Sequence, residues 1–380
     1  MKNVLGISAS VVRVLIGMLF LFSAVSKFIT VDIFEIYVYS FGLFSLNVCF
    51  YISRLIISAE LIIGAALISH RNPRLTIVST ILFLVCFIVF LAYAQMVGRT
   101  DSCHCFGELM PFNPVQSILK NAVLLLLLVY VAKFIPAKWY PKWWLVVLVY
   151  LTTTAVLVYY MSSSFHYIDL LALVMMFVMM IVGILASLKF YNRWYVTAVL
   201  LLAPIVTTFI LTPPDSWFYK SDTEVFDKEL FLSQIKGEET QNDNAVVDSV
   251  AVEQEDVDRL ADIGLDSGRH IVAFLSPSCS VCRLAADKIS TIARRSCPDT
   301  SQIVYVFPKV ANEESYEKFY SNTHTMRFNE KRIDKELFVR ITRGAFPLIL
   351  LVDNGEIQTT YSYRNIEEGR IVDFLLSDKE

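Results

Sequence analysis

"RHIVAFLSPSCSVCRLAADKISTIARRS", residues 269–296, changes periodicity half way along, and two cysteines sit at the change. "RHIVAFLSP" is β-branched and apolar throughout, the pattern of a buried strand. The segment after it places Leu284, Ile289 and Ile292 at helical spacing. Cys279-Ser280-Val281-Cys282 therefore straddles a strand-to-helix junction. A thiolate there faces unpaired backbone N–H groups and the positive end of the helix dipole, both of which lower its pKa.

Working outward, "QIVYVFPKV" predicts a strand, "NEESYEKFYSN" and "DKELFVRIT" predict helices, and "FPLILLVDNG" and "EIQTTYSYR" predict strands joined through Asn354-Gly355. Asn-Gly between apolar strands is a strong hairpin signal. "NIEEGRIVDFLLSD" closes the domain as a helix. Upstream, residues 213–268 read as an acidic tether, with "DKELFLSQI" able to form a short helix and "KGEETQNDNAVVDSVAVEQEDVDRL" too polar to pack.

The rest of the chain is of another kind. Of the 380 residues, 55% are hydrophobic and 18% charged, with a mean hydropathy of +0.54, more apolar than soluble domains. Residues 1–212 carry 13 Lys/Arg against 6 Asp/Glu, and residues 213–380 carry 20 against 30. This predicts a membrane half followed by an acidic soluble half. Neither half has the basic patch with interleaved aromatics that nucleic acid requires.

Seven runs are long enough to cross a bilayer: roughly 9–29, 47–69, 75–97, 114–133, 143–161, 167–188 and 194–212. The first lacks a small-residue cleavage site and reads as a retained anchor. Lys2, Arg13, Arg71, Arg74, Lys133, Lys138, Lys142, Lys189 and Arg193 fall in segments on one side, which is then the cytoplasmic side. Seven crossings put the soluble half on the opposite side, facing the loop that carries Cys103 and Cys105. A multi-pass protein of a bacterial inner membrane with a periplasmic C-terminal domain is the expectation.

Charges inside the apolar runs are few and expensive. Lys27, Arg54 and Lys120 lie near helix ends and read as snorkelling side chains. Glu60 is too deep to snorkel, which leaves pairing with a cation, or a place on a proton or quinone path. Cys86 reads as packing, and Cys49 as a possible transient partner of the Cys103/Cys105 pair.

Two resemblances add to this. Residues 269–379 resemble the thioredoxin fold in element order, in the C-x-x-C after the first core strand, and in Phe346-Pro347 opening a later strand. That resemblance implies Cys279 as the exposed nucleophile, Cys282 as the resolving thiol and Pro347 as the substrate-shaping proline. "SPSCSVC" lacks the tryptophan and Gly-Pro of thioredoxin itself, and Phe346 replaces the usual small or β-branched residue. "RVLIGMLFLFSAVSKF", "SAELIIGAAL" and "CHCFG" with the following Lys120-Asn121 resemble the DoxX-like superfamily, in particular the MauE proteins, over residues 8–134. The family implies four membrane helices and a role in disulfide formation beside a thioredoxin-like partner.

Together these predict a membrane-anchored thiol–disulfide oxidoreductase acting on exported cysteine-containing proteins. Cys279/Cys282 would exchange electrons with Cys103/Cys105, and a lipid-soluble carrier such as quinone could reset the system. Next-but-one cysteines cannot easily adopt relaxed disulfide geometry, so a bond between Cys103 and Cys105 would be readily reduced. The missing second intramembrane pair favours oxidation or isomerisation. Two alternatives stand: a metal-handling protein binding copper through Cys103-His104-Cys105, or a thioredoxin-like chaperone on an inert anchor. A zinc site at Cys279/Cys282 lacks partners, since Cys297, His270 and His324 are isolated in sequence.

Overall fold

The computed structural model describes residues 2–69, 72–96, 112–134, 194–212, 226–236, 260, 264–296, 300–309, 312–322 and 325–376. The chain divides into two compact units, Met1–Pro213 and Pro214–Glu380.

The first unit is helical: α1 (Lys2–Ile29), α2 (Val31–Tyr39), α3 (Leu46–Ser69), α4 (Pro73–Met96), α5 (Pro114–Phe134) and α6 (Trp194–Leu211). Among the described residues, four helices are long and apolar enough to cross a membrane: α1 from Val4, α3, α4 and α5. The seventh expected run is α6, whose 18 residues span about 27 Å at 1.5 Å per residue, slightly short of the roughly 30 Å hydrocarbon layer. The fifth and sixth runs, and the loop bearing Cys103 and Cys105, lie outside the described residues.

This bundle turns its polar groups inward. Val4, Ile7, Val11 and Leu15 form an exposed stripe on α1, while Ser23, Ser26 and Lys27 are buried. Lipid solvates apolar side chains and leaves polar ones to find partners inside the protein. α1 and α3 pack closely at Gly17 and Gly64, where a Cβ on Gly17 would lie 3.0 Å from the Gly64 carbonyl oxygen and one on Gly64 2.9 Å from that of Gly17. Small residues let membrane helices pack backbone to backbone.

Three sequence expectations need correction here. The stretch between the first two expected runs, 9–29 and 47–69, contains a further helix, α2, which buries Phe34, Glu35 and Tyr37. Arg13 does not flank the first helix. It is buried within α1, and its guanidinium donates to the carbonyls of Leu67 and Ile68 in the last turn of α3, a cation placed at the negative end of a helix. Lys27 and Arg54 do not snorkel, because each is buried against a carboxylate.

The second unit is a mixed sheet with helices. In chain order it contains α7 (Lys228–Lys236), β1 (Arg269–Phe274), α8 (Ser280–Ser296), β2 (Ile303–Pro308), α9 (Glu314–Asn322), β3 (Asn329–Ile333), α10 (Lys335–Thr342), β4 (Leu348–Asp353), β5 (Glu356–Tyr361) and α11 (Glu368–Leu376). The sheet order is β3-β2-β1-β4-β5. β1, β2 and β3 run parallel, and β4 and β5 antiparallel to their neighbours. Helices link the parallel strands, as such crossovers require. The hairpin between β4 and β5 turns at Asn354 and Gly355, both with positive φ, as a two-residue hairpin demands.

β3 is a strand the sequence reading misses. "NEKRI" carries three charges, and its pairing with β2 rather than its own composition makes it a strand. The tether also needs correction. Phe226, Leu230, Phe231 and Ile235, with Leu260 and Leu265, are buried in the same core as Val272, Phe274, Phe338 and Leu350. Phe231 meets the Phe274 ring edge-on at 5.9 Å between centroids. Asp227 starts α7 by accepting from the Leu230 N–H at 3.0 Å. The short helix was expected, but the acidic composition of 213–268 hides the burial of its apolar face.

Candidate functional site

The cysteine pair sits where β1 hands over to α8. β1 is the central strand of the sheet and is buried from Ile271 to Phe274. Its last residue, Phe274, lies opposite Leu348, so Pro347, the residue before Leu348, stands at the same end of the sheet as the C-x-x-C. The Phe346–Pro347 bond is cis.

Cys279 occupies the position just before α8. Its N–H donates to the Ser276 carbonyl at 3.1 Å, and its own carbonyl accepts from Arg283 at 3.2 Å. The Cys282 N–H donates to Cys279 Sγ at 3.3 Å, so the sulfur takes the place usually held by a capping oxygen. Both cysteines are free thiols; Cys279 is half-buried and Cys282 fully buried.

The two differ strongly in acidity. The Cys282 side chain donating to it, against a counteracting loss of solvation, together with backbone N–H groups of Cys282 and Val281 and the charge of Arg283, brings the Cys279 thiol down to about 6. Burial, reinforced by the neighbouring Cys279, pushes the Cys282 thiol far up. At neutral pH the pair thus has one half-buried thiolate and one buried, protonated thiol, the division of labour that thiol–disulfide exchange needs. Val281 and Phe346 are exposed apolar residues, 40% and 36% accessible.

The membrane unit holds a second polar constellation. Lys27 Nζ lies 2.7 Å and 2.9 Å from the two oxygens of Glu60 and 2.7 Å from Ser23 Oγ. The lysine folds back one turn toward the start of α1, following the tilt of helical side chains. Arg54 pairs with Glu35 of α2 and stacks 3.7 Å over the Phe50 ring. Each pair is buried, so each cation is matched where an unmatched one would be costly. Glu60 has the cation partner that its depth suggested. Glu35 was missed because it lies between two expected runs; Phe34, Tyr37 and Val38 at i, i+3 and i+4 were the available signal of a helix.

Of the other cysteines, Cys49 is fully buried with its thiol 3.9 Å from the Phe44 carbonyl. Cys86 is exposed among the described residues. Among the described residues, no group of three or more His, Cys, Asp or Glu could hold a metal ion. Cys103, His104 and Cys105 lie outside them.

Protein TlpB of Flavobacterium psychrophilum is 36% identical over 129 residues, covering 32% of this chain and 35% of that protein. The chain thus spans about a third of the length of the curated relative it matches. No solved structure matches. Residues 5–134 match the family model described as Methylamine utilisation protein MauE, so the chain carries a MauE-family membrane domain over that stretch.

Proposed function

We propose that this multi-pass membrane protein is a thiol–disulfide oxidoreductase whose second unit is a thioredoxin-like domain. The observation that carries the proposal is the Cys282 N–H bonded to Cys279 Sγ at the start of α8, with Cys282 buried beneath. The mixed sheet, with the cysteines after its central strand and Pro347 at the same end, supports the fold assignment.

In the exchange, the Cys279 thiolate attacks one sulfur of a substrate disulfide and expels the other as a thiolate. The Cys282 sulfur, once deprotonated, attacks Cys279 Sγ and releases the substrate's second thiolate. The substrate gains two electrons and the Cys279–Cys282 pair loses them; the reverse sequence oxidises a substrate dithiol. Phe346 and Val281 offer the apolar shoulders for a substrate segment, with Pro347 shaping the groove.

Cys103 and Cys105 are the proposed exchange partners of this pair, on the exported face of a bacterial cytoplasmic membrane. Exported cysteine-containing proteins are the substrates. Oxidation or isomerisation is the favoured direction, since a reductive route needs a second intramembrane dithiol.

The test is to trap the intermediate in the full-length Cys282→Ala variant. Membranes are quenched in acid, free thiols alkylated, and disulfide-linked peptides mapped by mass spectrometry. Cys279 linked to Cys103 or Cys105, and to exported proteins, is the expected result. Cys279 that never forms a mixed disulfide would overturn the proposal. Links to foreign peptides alone would remove the membrane unit from the reaction.

A further inference from the structure

Phe346 is a surface ring at the cysteine end of the sheet, and its mooring runs through the core of the second unit. Phe231 of α7 lies 5.9 Å from Phe274 of β1, Phe274 lies 5.8 Å from Phe338 of α10, and Phe338 lies 5.7 Å from Phe346, centroid to centroid. Each spacing is that of a favourable aromatic pair. The first three rings are at most 1% exposed, whereas Phe346 is 36% exposed. This column of four rings thus begins under α7 and surfaces at the residue before Pro347.

The backbone makes the same connection. Phe346 follows α10 after the turn Arg343-Gly344-Ala345, in which Arg343 and Gly344 take φ of 49° and 75°. The Gly344 and Ala345 N–H groups donate to the Val339 and Thr342 carbonyls at 3.2 Å and 2.9 Å, so the turn is fastened to the last turns of α10. Asp227, just before α7, ties that helix end down again. Its N–H donates to the Ile341 carbonyl at 2.8 Å, and its carboxylate lies 3.5 Å from the Arg343 guanidinium.

A ring in an exposed turn samples several rotamers unless packing selects one. Phe338 packs against one part of Phe346 and leaves the rest facing outward. Because a close-packed interior transmits displacement, the rings behind Phe338 help to set where Phe346 stands. The chemistry then fixes the occupant. Cys279 exchanges with sulfur, so a chain segment lying against Phe346 is the one flanking the substrate's cysteine.

We propose that Phe346 selects substrates whose reactive cysteine has an apolar neighbour, and that Phe338, backed by Phe274 and Phe231, is the positioning residue that holds this selector in place. The inference rests on the thiol–disulfide reading above and adds a substrate class to it. An apolar neighbour loses water against the ring, whereas a polar one gains nothing there.

The test uses the full-length protein in lipid nanodiscs, with empty nanodiscs as the blank. The probes are two cyclic decapeptides closed by one disulfide, with Leu or Ser on both sides of each cysteine. A thioether-bridged analogue of each binds without exchanging, and fluorescence anisotropy reads its affinity. Acid quenching and alkylation read the exchange, in which the peptide disulfide becomes a dithiol as Cys279 and Cys282 close to a disulfide. The Leu analogue should bind about tenfold tighter, the effect of burying about half a leucine side chain. Phe346→Thr, a surface change, should reduce that preference to less than about twofold. Phe338→Leu should lower it to about threefold while leaving the pH midpoint of Cys279 alkylation in place. Phe319→Leu removes another buried ring, outside the column, and should keep the full preference. Thermal melting reports whether each variant is folded.

Equal affinities for the two analogues, or an undiminished preference in Phe346→Thr, would overturn the selector even if both peptides exchange. An undiminished preference in folded Phe338→Leu, or an equal loss in Phe319→Leu, would overturn the positioning role. A tenfold, Phe346-dependent preference with no exchange would uphold the groove and overturn the oxidoreductase reading instead.

Discussion

The acidity of Cys279 offers the sharpest check on the candidate site. Its thiol sits at about 6, so about 90% is thiolate at pH 7, against roughly 3% for an ordinary thiol near 8.5. That thirtyfold gain does not become a thirtyfold faster alkylation. Thiolate nucleophilicity falls with pKa, with a Brønsted slope of about 0.4–0.5, which takes back about tenfold over this interval. The pH midpoint of the reaction is therefore the quantity to read, not its rate at one pH. Iodoacetamide labelling of the Cys279 peptide in the reduced full-length protein should rise with pH to a plateau, with its midpoint near 6. The hydrogen bond from the Cys282 side chain is the largest cause of the lowering, ahead of the backbone N–H groups. Cys282→Ala removes the first and keeps the second, so its midpoint should rise only part of the way, to about 7–8, below the free-thiol value near 8.5. A wild-type midpoint at or above 8 would refute the reasoning, and an unchanged midpoint in Cys282→Ala would refute the assignment of the cause.

Glu60→Gln should strand the Lys27 charge inside the bundle and lower stability by about 3–5 kcal/mol, whereas Lys27→Met with Glu60→Leu should recover most of it; melting in detergent decides between them. Gly64→Val should separate α1 from α3, since even a Cβ there lies 2.8 Å from Leu21 atoms and 2.9 Å from the Gly17 carbonyl oxygen. A cost of about 1–3 kcal/mol, read as a lower melting temperature, is expected. Phe231→Ala should destabilise the second unit by about 3–5 kcal/mol, because the ring is fully buried against Phe274; limited proteolysis of the full-length protein should then cut within β1 and β2 at lower urea.

The parts of this chain that were legible beforehand are those in which local pattern and tertiary role agree. "RHIVAFLSP" is both strand-like and the central strand, and Asn354-Gly355 is both turn-like and a turn. The C-x-x-C position at a helix start followed from the switch of period alone. Where pattern and role diverge, the reading failed. β3 is charged because it is an edge, and α7, legible as a short helix, lies in acidic sequence that hid its place in the core. In the membrane, the depth of Glu60 pointed to a cation as one possibility, while Lys27 and Arg54, near helix ends, read as snorkelling. Lys27 meets Glu60 and Arg54 meets Glu35 only once α1, α2 and α3 are packed.

The charged edge strand has a consequence for how such molecules live together. A domain fastened to a bilayer meets its neighbours in two dimensions, where crowding is severe and collisions recur at similar heights. A bare strand edge would template sheet growth from one copy to the next. β3 presents Glu330, Lys331 and Arg332 there, with Arg332 held by both Glu330 and Glu313. Sheet extension would require stripping water from these ions, so neighbouring copies slide past one another rather than zip.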